Sequence, residues 1–218
     1  MPRMIDRLLA IEVSALCDAD KTLPVVDPAI RAQVPDVRFA GPAFTVQAHD
    51  DHLPVMSALA EAQPGDVLVV ATDGGELAVF GELFATEAKR RGLAAIVTDG
   101  FCRDVAGLRR LGLPAFSRGT LPRSGTVVSR ARLNVPVRFA GMGVHPGDIV
   151  FGDDDGLVIA APERINAALE LGEAIGRAEG AILEQTRAGR RSLHELTNWA
   201  QHVEKLDRGE ESSLGFDV

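Results

Sequence analysis

The chain has 218 residues, of which 46% are hydrophobic and 25% charged, enough for one α/β domain with a genuine core. Its net charge of −8 argues against a phosphate-binding surface, so no nucleic-acid partner is expected. No apolar run reaches roughly the 18 residues of a membrane span, and Met1-Pro2-Arg3-Met4 lacks a signal-peptide pattern, so a cytoplasmic protein is expected. Cys17 and Cys102 form neither a disulfide framework nor a zinc spacing, and read as small buried apolar groups.

In chain order, Ile5 to Leu16 carries apolar residues at helical spacing. Val37 to Ala48 reads as one or two strands around the Gly41-Pro42 bend, and Pro54 to Ala62 as a short helix with proline in its first turn. The turn Pro64-Gly65-Asp66 feeds the buried strand Val67 to Ala71. After Asp73-Gly74-Gly75, the stretch Glu76 to Arg91 is expected to be helical, with Gly92 as its stop. Leu93 to Thr98 is a second buried strand, Arg103 to Leu111 a helix, and Pro114 to Ser117 a third strand. This strand–helix alternation needs crossover connections, which implies parallel pairing.

Beyond Thr126 the chain turns to strands at Val135–Phe139, Asp148–Phe151 and Leu157–Ala160, punctuated by Pro146-Gly147 and Asp155-Gly156. A long helix follows from Glu163 to Thr186, then a shorter one from Ser192 to Lys205, with a loose tail from Gly209. The expected organisation is an α/β domain over residues 1–190 and a C-terminal helical arm and tail over 191–218.

Two separated pieces can form a site. Gly81-Glu82-Leu83-Phe84 enters a helix, and Asp99-Gly100-Phe101-Cys102-Arg103-Asp104 leaves a buried strand. Both lie at the carboxyl side of parallel strands, where α/β sheets open a ligand crevice. Free amides at a helix start suit a carboxylate, and Arg103 adds a planar fork of donors. Asp104 offers a hard oxygen ligand for a cation such as Mg²⁺. The plainer reading of Arg103-Asp104 is a helix start, since aspartate suits the first turn.

Taken together these segments resemble the RraA-like family, which includes metal-dependent 4-hydroxy-4-methyl-2-oxoglutarate (HMG) aldolases and the regulator of ribonuclease E activity. The resemblance rests on Gly81-Glu82-Leu83-Phe84-Ala85 ahead of Arg103-Asp104. Pro64-Gly65-Asp66, Lys89 to Gly92, Val97 to Gly100, Pro146-Gly147-Asp148 and Asp153 to Gly156 extend it over most of the chain. It implies a swivelling β/β/α sandwich and homotrimers, sometimes paired as dimers of trimers, with active sites between subunits. It also implies that Arg103 binds the carboxylate and oxo group of a 2-oxo acid substrate, and that Asp104 is the direct protein ligand of Mg²⁺ or Mn²⁺. Gly81, Glu82, Leu83 and Phe84 would line the substrate, with the Leu83 and Phe84 amides on its carboxylate.

The family's aldolases usually carry aspartate where this chain has Glu82, and its ribonuclease regulators carry glycine there. The regulators also tend to place an acid where this chain has Gly107. Both positions lean to an enzyme that cleaves HMG or 4-carboxy-4-hydroxy-2-oxoadipate to pyruvate, with oxaloacetate decarboxylation as a side activity. Glu179, or else Glu184, of a neighbouring subunit would complete the site. In that reaction a cation chelated by the substrate's carboxylate and 2-oxo oxygens is the electron sink. A water relayed through Glu82 or the neighbour's glutamate is the base for the C4 hydroxyl. The alternatives are a non-catalytic binder of an RNase E-type ribonuclease and a lyase for another 2-oxo acid. A Schiff-base route would need one of Lys21, Lys89 or Lys205, and Lys89 lies in the charged, solvated helix end Glu87 to Arg91.

His49-Asp50-Asp51-His52 groups four ligand-type side chains, but a polar loop before a helix explains it as well. Asp153-Asp154-Asp155-Gly156 reads as a hairpin turn, His145 as a turn residue, and Trp199 as interface or core. Gly141-Met142-Gly143 is too short for a dinucleotide fingerprint, and no nucleotide site is expected.

Overall fold

The computed structural model describes residues 1–130 and 132–216. The expected first helix is two, α1 (Pro2–Leu8) and α2 (Val13–Ala19). A remote carboxylate breaks it: Asp153 Oδ2 accepts the Val13 amide at 2.9 Å, anchoring α2 as a separate start. The short edge strand β1 (Arg31–Ala32) follows, and then β2 (Phe39–Gln47), which runs unbroken through Gly41-Pro42. The bend marks a change of partner along this strand. Residues up to Pro42 pair antiparallel with a later strand, and the parallel ladder to β3 (Val67–Ala71) begins at Ala43. Proline has no amide to give, so it falls where the partner changes.

Between them lies α3 (Leu53–Glu61). After β3 the chain departs from expectation. Ala78–Phe80 is a strand, β4, and the helix α4 (Glu82–Arg90) begins only after Gly81. All three β4 side chains are buried, and β4 pairs in parallel with β6 (Phe101–Cys102), which follows β5 (Ala95–Thr98). Tertiary pairing overrides the helical pattern here. The helix α5 (Val105–Leu111), β7 (Ala115–Ser117) and β8 (Gly119–Thr120) complete the unit. The hairpin β9 (Val137–Phe139) and β10 (Met142–Val144) precedes β11 (Ile149–Asp153) and β12 (Gly156–Ala160). The last two meet in a tight turn at Asp154-Asp155, as expected.

The main sheet has the order β1-β7-β5-β3-β2-β11-β12, parallel from β2 to β7 and antiparallel at both ends. Val67, Val69 and Ala71 face one core cluster, and Leu68 and Val70 face another under α3, α4 and α5. Burial on both faces explains the unbroken apolar run. The helices α1, α2 and α6 (Pro162–Arg187) cover Ile149, Phe151 and Val158 at the antiparallel end.

Beyond their carboxyl ends, β3, β5 and β7 continue into β4, β6 and β8, a second parallel sheet of the same order. A buried polar clasp holds the step between the sheets. Asp99 Oδ1 accepts from the Thr72 amide and hydroxyl at 2.7 and 2.8 Å, and its Oδ2 accepts the Ala140 amide at 2.9 Å. The small sheet delivers both site segments.

The expected last helix is also divided, into a 3₁₀ turn (Leu193–Leu196) and α7 (Trp199–Asp207). The tail competes for the intervening backbone. Asn198 Oδ1 accepts the Gly215 amide at 2.7 Å, its Nδ2 donates to the Ser213 carbonyl at 3.1 Å, and Thr197 bridges Phe216. The tail is therefore tied down through residue 216, and its last two residues lie outside the described ones. Asn198→Ala is expected to release it, costing about 0.5–1.5 kcal/mol per lost bond locally. Hydrogen exchange would show faster exchange at Gly215, with the global melting temperature little changed. Among the described residues no helix is long and apolar enough to cross a membrane.

Candidate active site

The two sheets bring Gly81 and the Arg103–Asp104 pair into contact. β4 ends at Phe80, whose carbonyl accepts the Arg103 amide at 3.0 Å. A Cβ on Gly81 would stand 2.5 Å from Asp104 Oδ2 and 2.8 Å from Arg103 Cγ, so only glycine leaves room for both. The Glu82 amide donates to Asp104 Oδ2 at 3.3 Å, and Arg103 Nε lies 3.6 Å from the same oxygen.

Asp104 does not behave as an ordinary helix-start aspartate. It occupies the N-cap position of α5 in the left-handed region (φ 60°, ψ 38°), yet its side chain caps nothing in that helix. Aspartate tolerates this region better than most residues, so the conformation costs roughly 1 kcal/mol. The carboxylate is turned across to α4 and remains 44% exposed. The Leu83 and Phe84 amides precede the first helical bond of α4, which runs from Ala85 to the Gly81 carbonyl. They are free for an anion at a helix start.

A cleft of about 110 Å³ opens here, walled by β4, Gly81, Leu83, Phe84, Arg103, Asp104, Ser124 and His52. The His49-Asp50-Asp51-His52 run divides its labour. His49 Nδ1 meets the Thr72 carbonyl at 2.8 Å, and Asp50 Oδ1 accepts the Leu77 amide at 2.7 Å. Asp51, 1% exposed, ties down the loop bearing Ser124. Its Oδ2 accepts from the Thr126 hydroxyl and the Val128 and Ser129 amides at 2.6–2.9 Å, while Oδ1 accepts the Leu53 amide. Burial alone would raise its pKa, but the four donors prevail and hold it well below the usual carboxylate range. Only His52 of the four lines the cleft, a role its polar-loop setting did not reveal.

Glu82 begins α4, but its carboxylate lies outside the cleft lining, 3.4 Å from Arg110 on α5. Gly107 makes its berth: a Cβ there would stand 2.1 Å from the Glu82 carboxyl carbon. An acid at 107 and this placement of Glu82 exclude each other. Glu179 and Glu184 lie in the second half of α6, and neither lines the cleft of this chain. No lysine lines it either. Cys102 is fully buried, and burial pushes its thiol up, which leaves it a packing group.

No three His, Cys, Asp or Glu side chains among the described residues converge as a cation cage. One exposed carboxylate beside a helix start with free amides is nevertheless a donor set that suits Mg²⁺, which keeps waters and takes further oxygens from a substrate. Asp104 fits that ion as a single protein ligand.

Fold and cleft together define an α/β protein of RraA-like architecture with C-terminal helices. The RraA-like model, described as Aldolase/RraA, matches residues 13–159. A Halalkalibacterium halodurans protein named "Putative 4-hydroxy-4-methyl-2-oxoglutarate aldolase" is 34% identical over 157 residues, 71% of this chain and 75% of that one. The structure of an uncharacterised protein from Pseudomonas syringae pv. tomato superposes with a TM-score of 0.77 at 25% identity, covering 87% of this chain and 94% of its own. Streptomyces coelicolor RraAS2, described as an unusual member of the RNase ES inhibitor RraA protein family, gives 0.69 at 28% identity, covering 88% and 99%. The chain belongs to the RraA-like family.

Proposed function

We propose that this protein is a divalent-metal-dependent carbon–carbon lyase that cleaves a 4-hydroxy-2-oxo acid, such as HMG or 4-carboxy-4-hydroxy-2-oxoadipate, and releases pyruvate. The observation that carries the reading is the Asp104 carboxylate, held in a strained backbone and turned away from its own helix toward Gly81 and Arg103. The substrate carboxylate is received by the Leu83 and Phe84 amides and by the Arg103 guanidinium. Asp104 would hold Mg²⁺ or Mn²⁺, which when bound supplies Lewis-acid polarisation of the 2-oxo group. As the C3–C4 bond breaks, its electron pair moves toward the C2 oxygen. Arg103 stands where that charge grows. Oxaloacetate, whose decarboxylation makes the same charge, is a second substrate on this account.

The segments that carry the cleft residues also expose Met56, Leu83, Val127 and Val128, with Leu83 and Val128 each 78% exposed. Large apolar side chains exposed on the segments around a cleft suit a subunit contact. The reading therefore includes a homotrimer or dimer of trimers, with Glu179 of a neighbour approaching the cleft, acting in the cytoplasm. The likeness to RraAS2 supports a second reading as a ribonuclease-binding regulator.

A screen of 4-hydroxy-2-oxo acids and oxaloacetate with added Mg²⁺ or Mn²⁺, coupled to lactate dehydrogenase, separates the two. The aldolase reading expects pyruvate from at least one acid. No pyruvate from any of them, together with capture of an RNase E-type enzyme, would favour the regulator.

A further inference from the structure

We propose that His52 is the proton carrier of this cleft, taking the proton from the substrate's C4 hydroxyl and returning it to C3 of the pyruvate fragment. The inference rests on the aldolase reading and adds the group that moves the proton. Carbon–carbon cleavage needs two proton transfers. The O4–H bond breaks as C4 becomes a carbonyl, the C3–C4 electron pair passes to C3 and the C2 oxygen, and a C3–H bond then forms the methyl group. One proton carried from O4 to C3 balances the step with no co-reactant.

Few groups in the cleft can do this. The Arg103 guanidinium is a donor only and has no acceptor to take a proton. Asp104 is the candidate cation ligand, and the Ser124 hydroxyl is too weak an acid to exchange protons readily. Glu82, one of the two carboxylates the sequence suggested, is seated against Gly107 and Arg110 outside the lining, and the other, Glu179, lies on α6 away from this chain's cleft and would have to come from a neighbouring subunit. Among this chain's own cleft residues His52 remains, with an imidazole that offers one nitrogen to accept a proton and one to donate.

Its placement suits the task. His52 is the N-cap residue of α3, but its ring does not cap that helix. Asp51 Oδ1 takes the Leu53 amide instead, at 2.9 Å. No described residue hydrogen-bonds to either ring nitrogen of His52, whereas Nδ1 of His49, three residues earlier, is engaged with a carbonyl. The ring meets Phe84 edge-on, with centroids 5.7 Å apart and planes at 60°. Phe84 also offers one of the carboxylate-binding amides. The imidazole thus packs against the residue that positions C1, with neither nitrogen engaged by a described residue.

The test uses the full chain with Mg²⁺ and pyruvate in D₂O, and follows loss of the pyruvate methyl proton signal by NMR. The wild type is expected to exchange these protons. His52→Asn, which places a favoured N-cap residue at this position, is expected to slow exchange by about 10²–10³-fold. Pyruvate affinity by calorimetry should stay within about threefold and the melting temperature should be unchanged. His52→Ala should regain exchange when imidazole is added. Exchange by His52→Asn at close to the wild-type rate would overturn the proposal while leaving the aldolase reading intact. Neither exchange nor pyruvate binding by the wild type would overturn both.

Discussion

Gly81→Ala is expected to lower kcat/KM for pyruvate release by about 100-fold or more while leaving the melting temperature within a few degrees of the wild type. The backbone at Gly81 is extended (φ −161°, ψ −159°), a conformation open to any residue, so strain is not the cause. The cause is space. A Cβ would stand 2.5 Å from Asp104 Oδ2 and 2.8 Å from Arg103 Cγ, and both side chains would have to withdraw. Those two groups hold the cation and the substrate on this account, and a displacement of about 1 Å is enough for a loss near 10²-fold. Neither is part of the hydrophobic core, so stability should survive. Steady-state kinetics beside a thermal melt checks the pair of outcomes, and activity within threefold of the wild type would contradict the placement of the site.

Asp51→Ala is expected to act the other way round, on stability first. The carboxylate is 1% exposed and serves four donors. Hydrogen bonds to a charged group contribute about 1.5–3 kcal/mol each, but the loop amides can partly recover water, so a net loss of about 2–4 kcal/mol is expected. For a chain of this size that lowers the melting temperature by about 5–15 °C. The pH dependence follows from the depressed pKa. A carboxylate whose folded pKa lies below its unfolded value of 3.8 contributes its full stabilisation above that value, and loses it as pH falls through the folded pKa. The stability difference between wild type and Asp51→Asn should thus be flat near neutrality and shrink below about pH 4. A constant difference down to strong acid would show that the charge is not what holds the loop.

Much of the scaffold is legible in the residues. Val67–Ala71 is apolar at every position because both of its faces are covered, and Asp154-Asp155-Gly156 carries its own turn chemistry. The small sheet is not legible. Its strands are two or three residues long, and Ala78-Val79-Phe80 becomes a strand only because Phe101-Cys102 lies beside it. The divided terminal helices have the same kind of cause, in Asp153 reaching Val13 and Asn198 reaching Gly215. The site is half legible. Arg103 and Asp104 stand out beside Gly81-Glu82-Leu83-Phe84 through family resemblance, and geometry then shows why Gly81 must be glycine. The direction of the Glu82 carboxylate depends on a gap at Gly107 on the next helix, which no local pattern announces. His52 sits in a run whose other three members serve backbone groups, and nothing in that run marks it as the one that faces the cleft.

On the proposed function, Asp104, Arg103 and the α4 start cleave a 4-hydroxy-2-oxo acid with the help of a divalent cation. The decisive measurement is pyruvate release from 4-hydroxy-4-methyl-2-oxoglutarate or 4-carboxy-4-hydroxy-2-oxoadipate by the wild type with Mg²⁺, by the wild type with a chelator, and by Asp104→Ala. The expected result is release that the chelator stops, that added Mg²⁺ or Mn²⁺ restores, and that Asp104→Ala lowers by at least about 100-fold. No release by the wild type, or release that survives both the chelator and Asp104→Ala, would contradict it.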